Sequence, residues 1–292
     1  MRIRLLGPGA PGVSAIGLGA MPLSIQGRPG DEASAIRVIH AALDGGATLI
    51  DTADVYCLDD DDIGHNERLI AKALRSWRGD LLDVVVATKG GMRRPGGAWE
   101  RDARPELLRT ACDRSLKALG VERIDLYQLH APGPSAPFLD SVGVLQELQE
   151  AGKIRWVGLS NVSVKQIHAA AKLVPVVSVQ NRLSPFFREA LQTGVVAACE
   201  RSGIGFLAYS PVGGGRLNLK LPSVAALGPI ARRHGVSPHA VVLAWVLSRG
   251  TTVIAIPGAR TVEHIEDSLA AADIELSPEE LAAIDRAEFS VA

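Results

Sequence analysis

The chain has 292 residues, 47% of them hydrophobic, which is enough to bury a sizeable core. With 31 basic and 32 acidic side chains it gives no reason to expect nucleic acid or an anionic membrane as a partner, and no apolar run approaches the ~18 residues of a membrane span. Three widely spaced cysteines (Cys57, Cys112, Cys199) fit reduced cytoplasmic thiols better than disulfides, and the basic start MRIRLLGPG has too short an apolar stretch for a secretory signal.

The first predicted element is a hairpin. Gly7 to Gly12 read GPGAPG, a literal G-x-G-x-x-G, the spelling of a dinucleotide-binding turn. That turn needs an entering strand and a departing helix whose N-terminus faces the phosphates. Here VSAIGLGAMP follows without helical period and runs to Pro22, and Pro8 and Pro11 remove two N–H donors from the motif. Two short apolar runs around a Gly/Pro cluster predict instead a β-hairpin over residues 3–15.

Beyond it, β-rich runs alternate with longer helical stretches. Strands are predicted at 15–19, 47–51, 84–89, 124–130, 155–161, 176–181, 205–210 and 252–257. Helical period marks 31–46, 64–77, 104–120, 137–153, 164–173, 188–203, 237–249 and 261–271. Several helices open at Asp31, Pro105, Ser237 or Thr261, and several close at Gly45, Gly120, Gly152 or Gly203. The strands are continuous apolar runs, as in a parallel sheet covered on both faces. Eight strand–helix units in roughly 250 residues are the count and length of an α/β protein with a (β/α)8 TIM barrel. A doubly wound sheet is the alternative, but it usually has fewer strands and a working glycine fingerprint. The hairpin would plug the N-terminal end of the barrel, and residues 277–292 would add an extra C-terminal helix. No linker or repeat boundary is visible, so residues 1–292 read as one domain.

In such a barrel the reactive groups gather at the C-terminal ends of the strands. From the second strand to the seventh those ends carry Asp51, Lys89, His130, then Ser160 and Asn161, Gln180, and Tyr209 with Ser210. Tyr56 lies five residues beyond Asp51. Singly, each has a plain explanation as a helix cap, a loop charge or a core residue. Together, Asp51, Tyr56, Lys89 and His130 form a chemical set. A tyrosine hydroxyl, with a pKa near ~10, is a poor acid at neutral pH, and a neighbouring ammonium is expected to lower that pKa. A carboxylate would hold the lysine, and the histidine can orient a carbonyl by a hydrogen bond. Such a set delivers a proton to a carbonyl oxygen but supplies no nucleophile, so hydride from a reduced nicotinamide fits as the attacking group.

These residues resemble the aldo-keto reductases, from about Ile16 to about Leu269. DTADVY (51–56) and GHNERLIAKAL (64–74) are followed by VATK, IDLYQLH, GKIRWVGLSN, SVQN, AYSP and IPGAR in the family's order. The resemblance implies Tyr56 as general acid, Lys89 and Asp51 as its tuning pair, and His130 as the carbonyl-orienting group. It implies a nicotinamide cofactor bound without a glycine fingerprint, with Ser160, Asn161 and Gln180 on the carboxamide and Tyr209 stacked on the ring. Ser210, Pro211, Val212, Gly213, Gly214 and Gly215 would wrap the pyrophosphate, and Gly19, Ala20 and Met21 would meet the ribose, with Asp51 on the cofactor side as well. Pro257, Gly258, Ala259 and Arg260 sit at the eighth strand, where Arg260 can clamp a 2′-phosphate, so NADPH is expected over NADH. His264, Asp267 and Ser268 stand where the family often carries Gln or Arg, then Glu-Asn, which makes the expected preference modest. The chain ends at Ala292 without the long C-terminal loop of some relatives. An open substrate pocket is therefore expected, shaped by Val55, the 90–104 loop with Met92 and Trp99, and the loop after Tyr209.

The implied activity is reduction of a small aldehyde or ketone to its alcohol, and a monomer is favoured because no long exposed apolar stripe is evident. An alternative is a nicotinamide-binding regulatory subunit that senses redox state with little turnover. A metal-dependent barrel hydrolase is a third class, and no H-x-H pair at a strand end supports it. No metal is expected. LDDDDIG (58–64) lacks the alternating acids of a calcium loop and reads as an exposed acidic rim. Cys57, beside Tyr56, is a candidate for oxidation.

Overall fold

A computed structural model describes residues 1–291. The chain opens with the hairpin strands β1 (Ile3–Leu5) and β2 (Gly12–Ser14), antiparallel with Ile3 opposite Ser14. GPGAPG forms the turn between them: the Ala10 N–H donates to the Gly7 carbonyl, and no helix follows. Next come β3 (Leu18–Gly19), α1 (Glu32–Asp44), β4 (Leu49–Asp51), α2 (His65–Ser76) and β5 (Val85–Gly90). A small antiparallel ribbon, β6 (Met92–Arg93) and β7 (Glu100–Arg101), precedes α3 (Pro105–Leu119). There follow β8 (Ile124–Leu129), α4 (Phe138–Glu150), β9 (Ile154–Ser160), α5 (Val164–Ala170) and β10 (Val176–Arg182). The remainder is α6 (Glu189–Gln192), α7 (Val195–Ser202), β11 (Gly205–Tyr209), α8 (Leu227–His234), α9 (Pro238–Leu247), β12 (Val253–Ile256), α10 (Val262–Ala270) and α11 (Pro278–Arg286).

Eight strands pair in parallel in the chain order β3, β4, β5, β8, β9, β10, β11, β12. The two ends of the sheet meet. Ile16 bridges Ala255, Gly19 bridges Gly258, and the Gly17 and Gly19 N–H groups donate to the Ala255 and Pro257 carbonyls. This is the (β/α)8 barrel that the alternation of strands and helices predicts, and its closure leaves no sheet edge exposed. Asp31, Ser237 and Thr261 cap their helices through side-chain oxygens, as expected.

Three details differ from expectation. The stretch 188–203 is two helices, because Gly194 turns left-handed (φ 77°) between α6 and α7. Helix α8 was not predicted; its Pro229 sits in the first turn, where its missing N–H costs nothing. The last helix ends at Arg286, short of the predicted 277–292.

The barrel has an inner and an outer core. Inside, Leu49, Val85, Ala87, Leu126, Val177, Leu207, Ile254 and Ile256 pack with Leu6 and Val13 of the hairpin. The larger outer cluster, including Ile50, Leu69, Tyr127, Trp245 and Ile265, seals the helices onto the sheet. Leu6 is the stopper at the N-terminal end, and burying such a side chain stabilises by about 1.5–3 kcal/mol. Behind it the chain passes so close to β10 that a Cβ on Gly7 would lie 2.0 Å from the Val177 carbonyl oxygen, so only glycine fits. Arg4 fastens the plug by donating to the carbonyls of Leu247 (2.9 Å), Gly250 (2.7 Å) and Val253. No helix among the described residues is long and apolar enough to cross a membrane.

Candidate active site

Alternate strand residues face the barrel interior, which makes that interior layered. Leu49, Ala87, Leu126, Gly158, Ser178 and Leu207 lie in an inner layer. Two residues further along each strand stand Asp51, Lys89, Gln128, Ser160, Gln180 and Tyr209, a polar layer at the C-terminal end.

At its centre the fully buried Lys89 Nζ donates to Asp51 Oδ2 (2.6 Å), the Thr52 carbonyl (2.8 Å) and the Tyr56 hydroxyl (2.9 Å). Three acceptors use up the three hydrogens of the ammonium. Tyr56 Oη accepts from Lys89, so its own hydrogen is left to be donated elsewhere. Asp51 Oδ1 accepts from Gln180 Nε2 (2.7 Å) and Gln128 Nε2 (3.2 Å). Burial opposes the Lys89 charge, but Asp51 and Tyr56 together raise its pKa. The expected lowering at Tyr56 is overturned: burial outweighs the attraction of Lys89 and raises the phenol pKa. His130 stands edge-on to Tyr56, with ring centroids 5.8 Å apart. Burial, with Lys89 and Arg101 adding to it, pushes its pKa well down, so the imidazole is neutral and carries one N–H.

The loop that carries Tyr56 is pinned from α2. Asn66 accepts from Thr52 Oγ1 (2.6 Å) and donates to the Ala20 carbonyl (2.9 Å), and Glu67 accepts from Thr88 Oγ1 (2.6 Å). On the far side of the loop, neither carboxyl oxygen of the buried Asp54 has a hydrogen-bond partner among the described residues. Its nearest cation, Arg114 Nη2, is 3.7 Å away. Burial and then the Glu67 carboxyl push the Asp54 pKa well above its ordinary value, and burial raises that of Glu67 too.

Val55 and Met92 pack around Tyr56, and Trp99, 45% exposed, stands edge-on to it at 6.3 Å. These expected pocket residues do come together. Arg94, which no sequence pattern marks, locks them: its guanidinium stacks 3.9 Å over Trp99 and donates to the Cys57 (3.1 Å) and Leu58 (2.8 Å) carbonyls. Gln128 was also missed, although its place two residues before His130 on the same strand face marks it. The structure does not favour Cys57 as a reactive thiol. The Cys57 side chain is buried against the Asp59 carbonyl (2.9 Å), and burial raises its pKa to about 11, which keeps it a thiol. The acidic rim is a short 3-10 turn, Asp60–Asp62, capped by Asp59.

At the ends of β9 and β11, Asn161 (φ 59°) and Ser210 (φ 48°) are the two non-glycine residues with positive φ among those described, a conformation the surroundings must enforce. Asn161 Nδ2 donates to the His130 carbonyl (3.0 Å) and Ser160 Oγ (3.1 Å), and its Oδ1 accepts from the Tyr209 hydroxyl (2.9 Å). Pro211 is buried and Val212 packs on the core. Gly213, Gly214 and Gly215 then run with φ of 91°, 66° and 43°, and Gly215 faces open space. Gly19, Ala20, Pro257 and Gly258 lie along the barrel seam, Met21 opens a 3-10 turn beside it, and Ala259 is buried. Arg260 is exposed and gives one N–H to the Gln26 carbonyl (3.1 Å). On α10, His264 is exposed, Ser268 Oγ donates back to its carbonyl (2.8 Å), and Asp267 accepts from Ser237 Oγ (2.6 Å).

The sequence matches the Aldo/keto reductase family over residues 15–288. An uncharacterized oxidoreductase of Schizosaccharomyces pombe is 34% identical over 277 residues, 94% of this chain and 86% of that protein. An aldo-keto reductase of Strobilurus tenacellus is 31% identical, over 93% of this chain and 88% of its own. Among solved structures, the glycerol dehydrogenase of Gluconobacter oxydans superposes with a TM-score of 0.84 at 29% identity, covering 97% of this chain and 93% of that one. An aldo/keto reductase from Klebsiella pneumoniae in complex with NADP and acetate gives 0.81 at 28% identity, with 98% and 95% covered.

Proposed function

The chain belongs to the aldo/keto reductase family and is an NAD(P)H-dependent oxidoreductase, and on that premise we propose that it reduces an aldehyde or ketone with Tyr56 as general acid and NADPH preferred over NADH. The observation that carries this reading is the Tyr56 hydroxyl. It accepts from Lys89 behind it and keeps its own proton, beside a neutral imidazole.

The nicotinamide, when bound, supplies the hydride. The remaining work falls to this chain. His130 donates its N–H to the carbonyl oxygen and orients it toward Tyr56. As negative charge grows on that oxygen it becomes the stronger base, and Tyr56 Oη gives up its proton. The phenolate left behind faces the Lys89 ammonium at 2.9 Å, which Asp51 holds in place.

The residues around the polar layer fit a nicotinamide dinucleotide. Ser160, Asn161 and Gln180 offer hydroxyl and amide groups to a carboxamide, and Tyr209 offers a face to its ring. Residues 210–215 would follow the pyrophosphate, with Gly19, Ala20 and Met21 near the ribose. Arg260 keeps most of its donors for a 2′-phosphate, and the NADP complex of the Klebsiella pneumoniae relative supports that choice. Asp267 and Ser268 already spend oxygens inside the protein, so Arg260 carries most of a preference that is modest.

The test is Tyr56→Phe, which keeps the ring against His130 and Trp99 and removes the hydroxyl that carries the proton. NADPH oxidation with aldehydes should fall by about 10²–10⁴-fold, while the dissociation constant for NADPH stays nearly constant. Undiminished turnover would take the acid role away from Tyr56. Parallel fluorescence titrations with NADPH and NADH, repeated on Arg260→Gln, test the cofactor preference.

A further inference from the structure

Two arginines at the rim remain unexplained. Arg182 ends β10 on the same face as Gln180, one layer above it, and pairs in register with Tyr209. Its guanidinium stacks 3.8 Å over Phe187. Arg101 sits in β7 directly opposite Met92, and residues facing each other across a ribbon share a face. Met92 packs on the Tyr56 cluster, so Arg101 stands on the ribbon face that looks toward the catalytic tyrosine. Its charge reaches both His130 and Tyr209, and that of Arg182 reaches Tyr209. Both side chains are exposed, and neither makes a hydrogen bond or ion pair among the described residues. The neighbouring arginines do: Arg104 lies 2.8 Å and Arg93 3.9 Å from Asp102.

The local acids do not balance this charge: Glu189, exposed at the start of α6, sets one negative charge near Tyr209 against the two arginines. Asp51 is spent on Lys89, and Asp102 on Arg104 and Arg93. Glu100 alternates with Arg101 to the other face of the ribbon. Two planar guanidiniums at one mouth match the oxygens of a carboxylate or phosphate, and they also draw such a ligand in from solution.

We propose that the carbonyl substrate carries an anionic group, a carboxylate or a phosphate monoester, held by Arg101 and Arg182 at the rim while its carbonyl lies against Tyr56 and His130. The proposal rests on the reductase reading and narrows it to a substrate class.

The experiment compares matched pairs: 4-carboxybenzaldehyde with 4-methylbenzaldehyde, and glyceraldehyde 3-phosphate with glyceraldehyde. NADPH oxidation is followed with the natural chain, Arg101→Gln and Arg182→Gln. The charged member of at least one pair should lead in kcat/KM by about tenfold or more, mainly through KM, and which pair shows it separates carboxylate from phosphate. Each substitution should cut that ratio by about tenfold, and added salt should shrink it. Calorimetry with 4-(hydroxymethyl)benzoate and 4-methylbenzyl alcohol on the NADP-loaded protein reads the same preference without turnover. Ratios near one in both pairs, unchanged by either substitution, would overturn the proposal. So would an equal weakening of NADPH binding, which would give the arginines to the cofactor. If no aldehyde is reduced but the charged alcohol still binds more tightly, the anion site stands and the reductase reading fails.

Discussion

Asp51 and Asp54 lie three residues apart, both buried, on opposite sides of the loop that carries Tyr56, and the protein treats them in opposite ways. Asp51 meets one ammonium and two glutamine amides within 3.2 Å. Asp54 has no side-chain donor within hydrogen-bond reach among the described residues and Arg114 only at 3.7 Å, and burial and then Glu67 push its pKa well above the ordinary carboxyl value. Burial is common to both, so burial does not decide which of them can be an anion. The number of donors built around the group does. The Lys89 side of the loop surrounds a buried carboxylate with donors, whereas on the rear side two buried acids, Asp54 and Glu67, have their pKa values pushed up.

Removing the cation should therefore hurt the first site far more than the second. Lys89→Met strands Asp51 in the barrel and should cost about 3–5 kcal/mol in denaturant unfolding, besides abolishing NADPH oxidation. A loss below about 1 kcal/mol would mean that Asp51 simply takes up a proton, and the contrast would collapse. Next in size is the pH response of Asp54→Asn. Native Asp54 keeps its proton at pH values where the unfolded carboxyl, near its ordinary ~3.9, has released it. The native state thus binds more protons, and the natural chain loses stability as pH rises from about 4 toward the folded pKa. Asn does not titrate, so melting temperatures measured from pH 4 to 7 should show the natural chain falling relative to the variant. Parallel curves would place an anion at Asp54. Smallest is Arg114→Gln: with a neutral Asp54 behind it and half its side chain in water, the change should stay within about 0.5 kcal/mol.

This contrast also marks where sequence reading succeeded and stopped. Asp51, Lys89 and His130 were legible because a strand fixes which residue ends on the inner face, and Tyr56 was legible through the company it keeps. Whether a given acid is surrounded by donors depends on side chains from other elements. Gln128 and Gln180 reach Asp51 from 77 and 129 residues away, and no local spacing announces it. The same blindness reversed the expectation for the Tyr56 pKa, since the neighbouring lysine can be read from sequence and the extent of burial cannot. Arg94 was invisible because the 90–104 loop has no periodicity to place it over Trp99. The break at Gly194 and the helix that begins at Leu227 around Pro229 turned on one backbone angle and one position within a turn.

The hairpin plug has a bearing on how the molecule assembles. Its residues are made before the barrel strands, yet the Gly205 N–H donates to the Leu6 carbonyl, and Arg4 reaches carbonyls 243, 246 and 249 positions later in the chain. Until β11 and β12 exist, the stopper has nothing to seat against, and the seam between β3 and β12 has nothing to close on. Seating and closure become one late event between the two ends of the sequence, the kind of long-range contact that slows folding. Because Arg4 grips the β12 side and Leu6 the β11 side, opening the finished barrel at its seam would require the first six residues to let go at the same time.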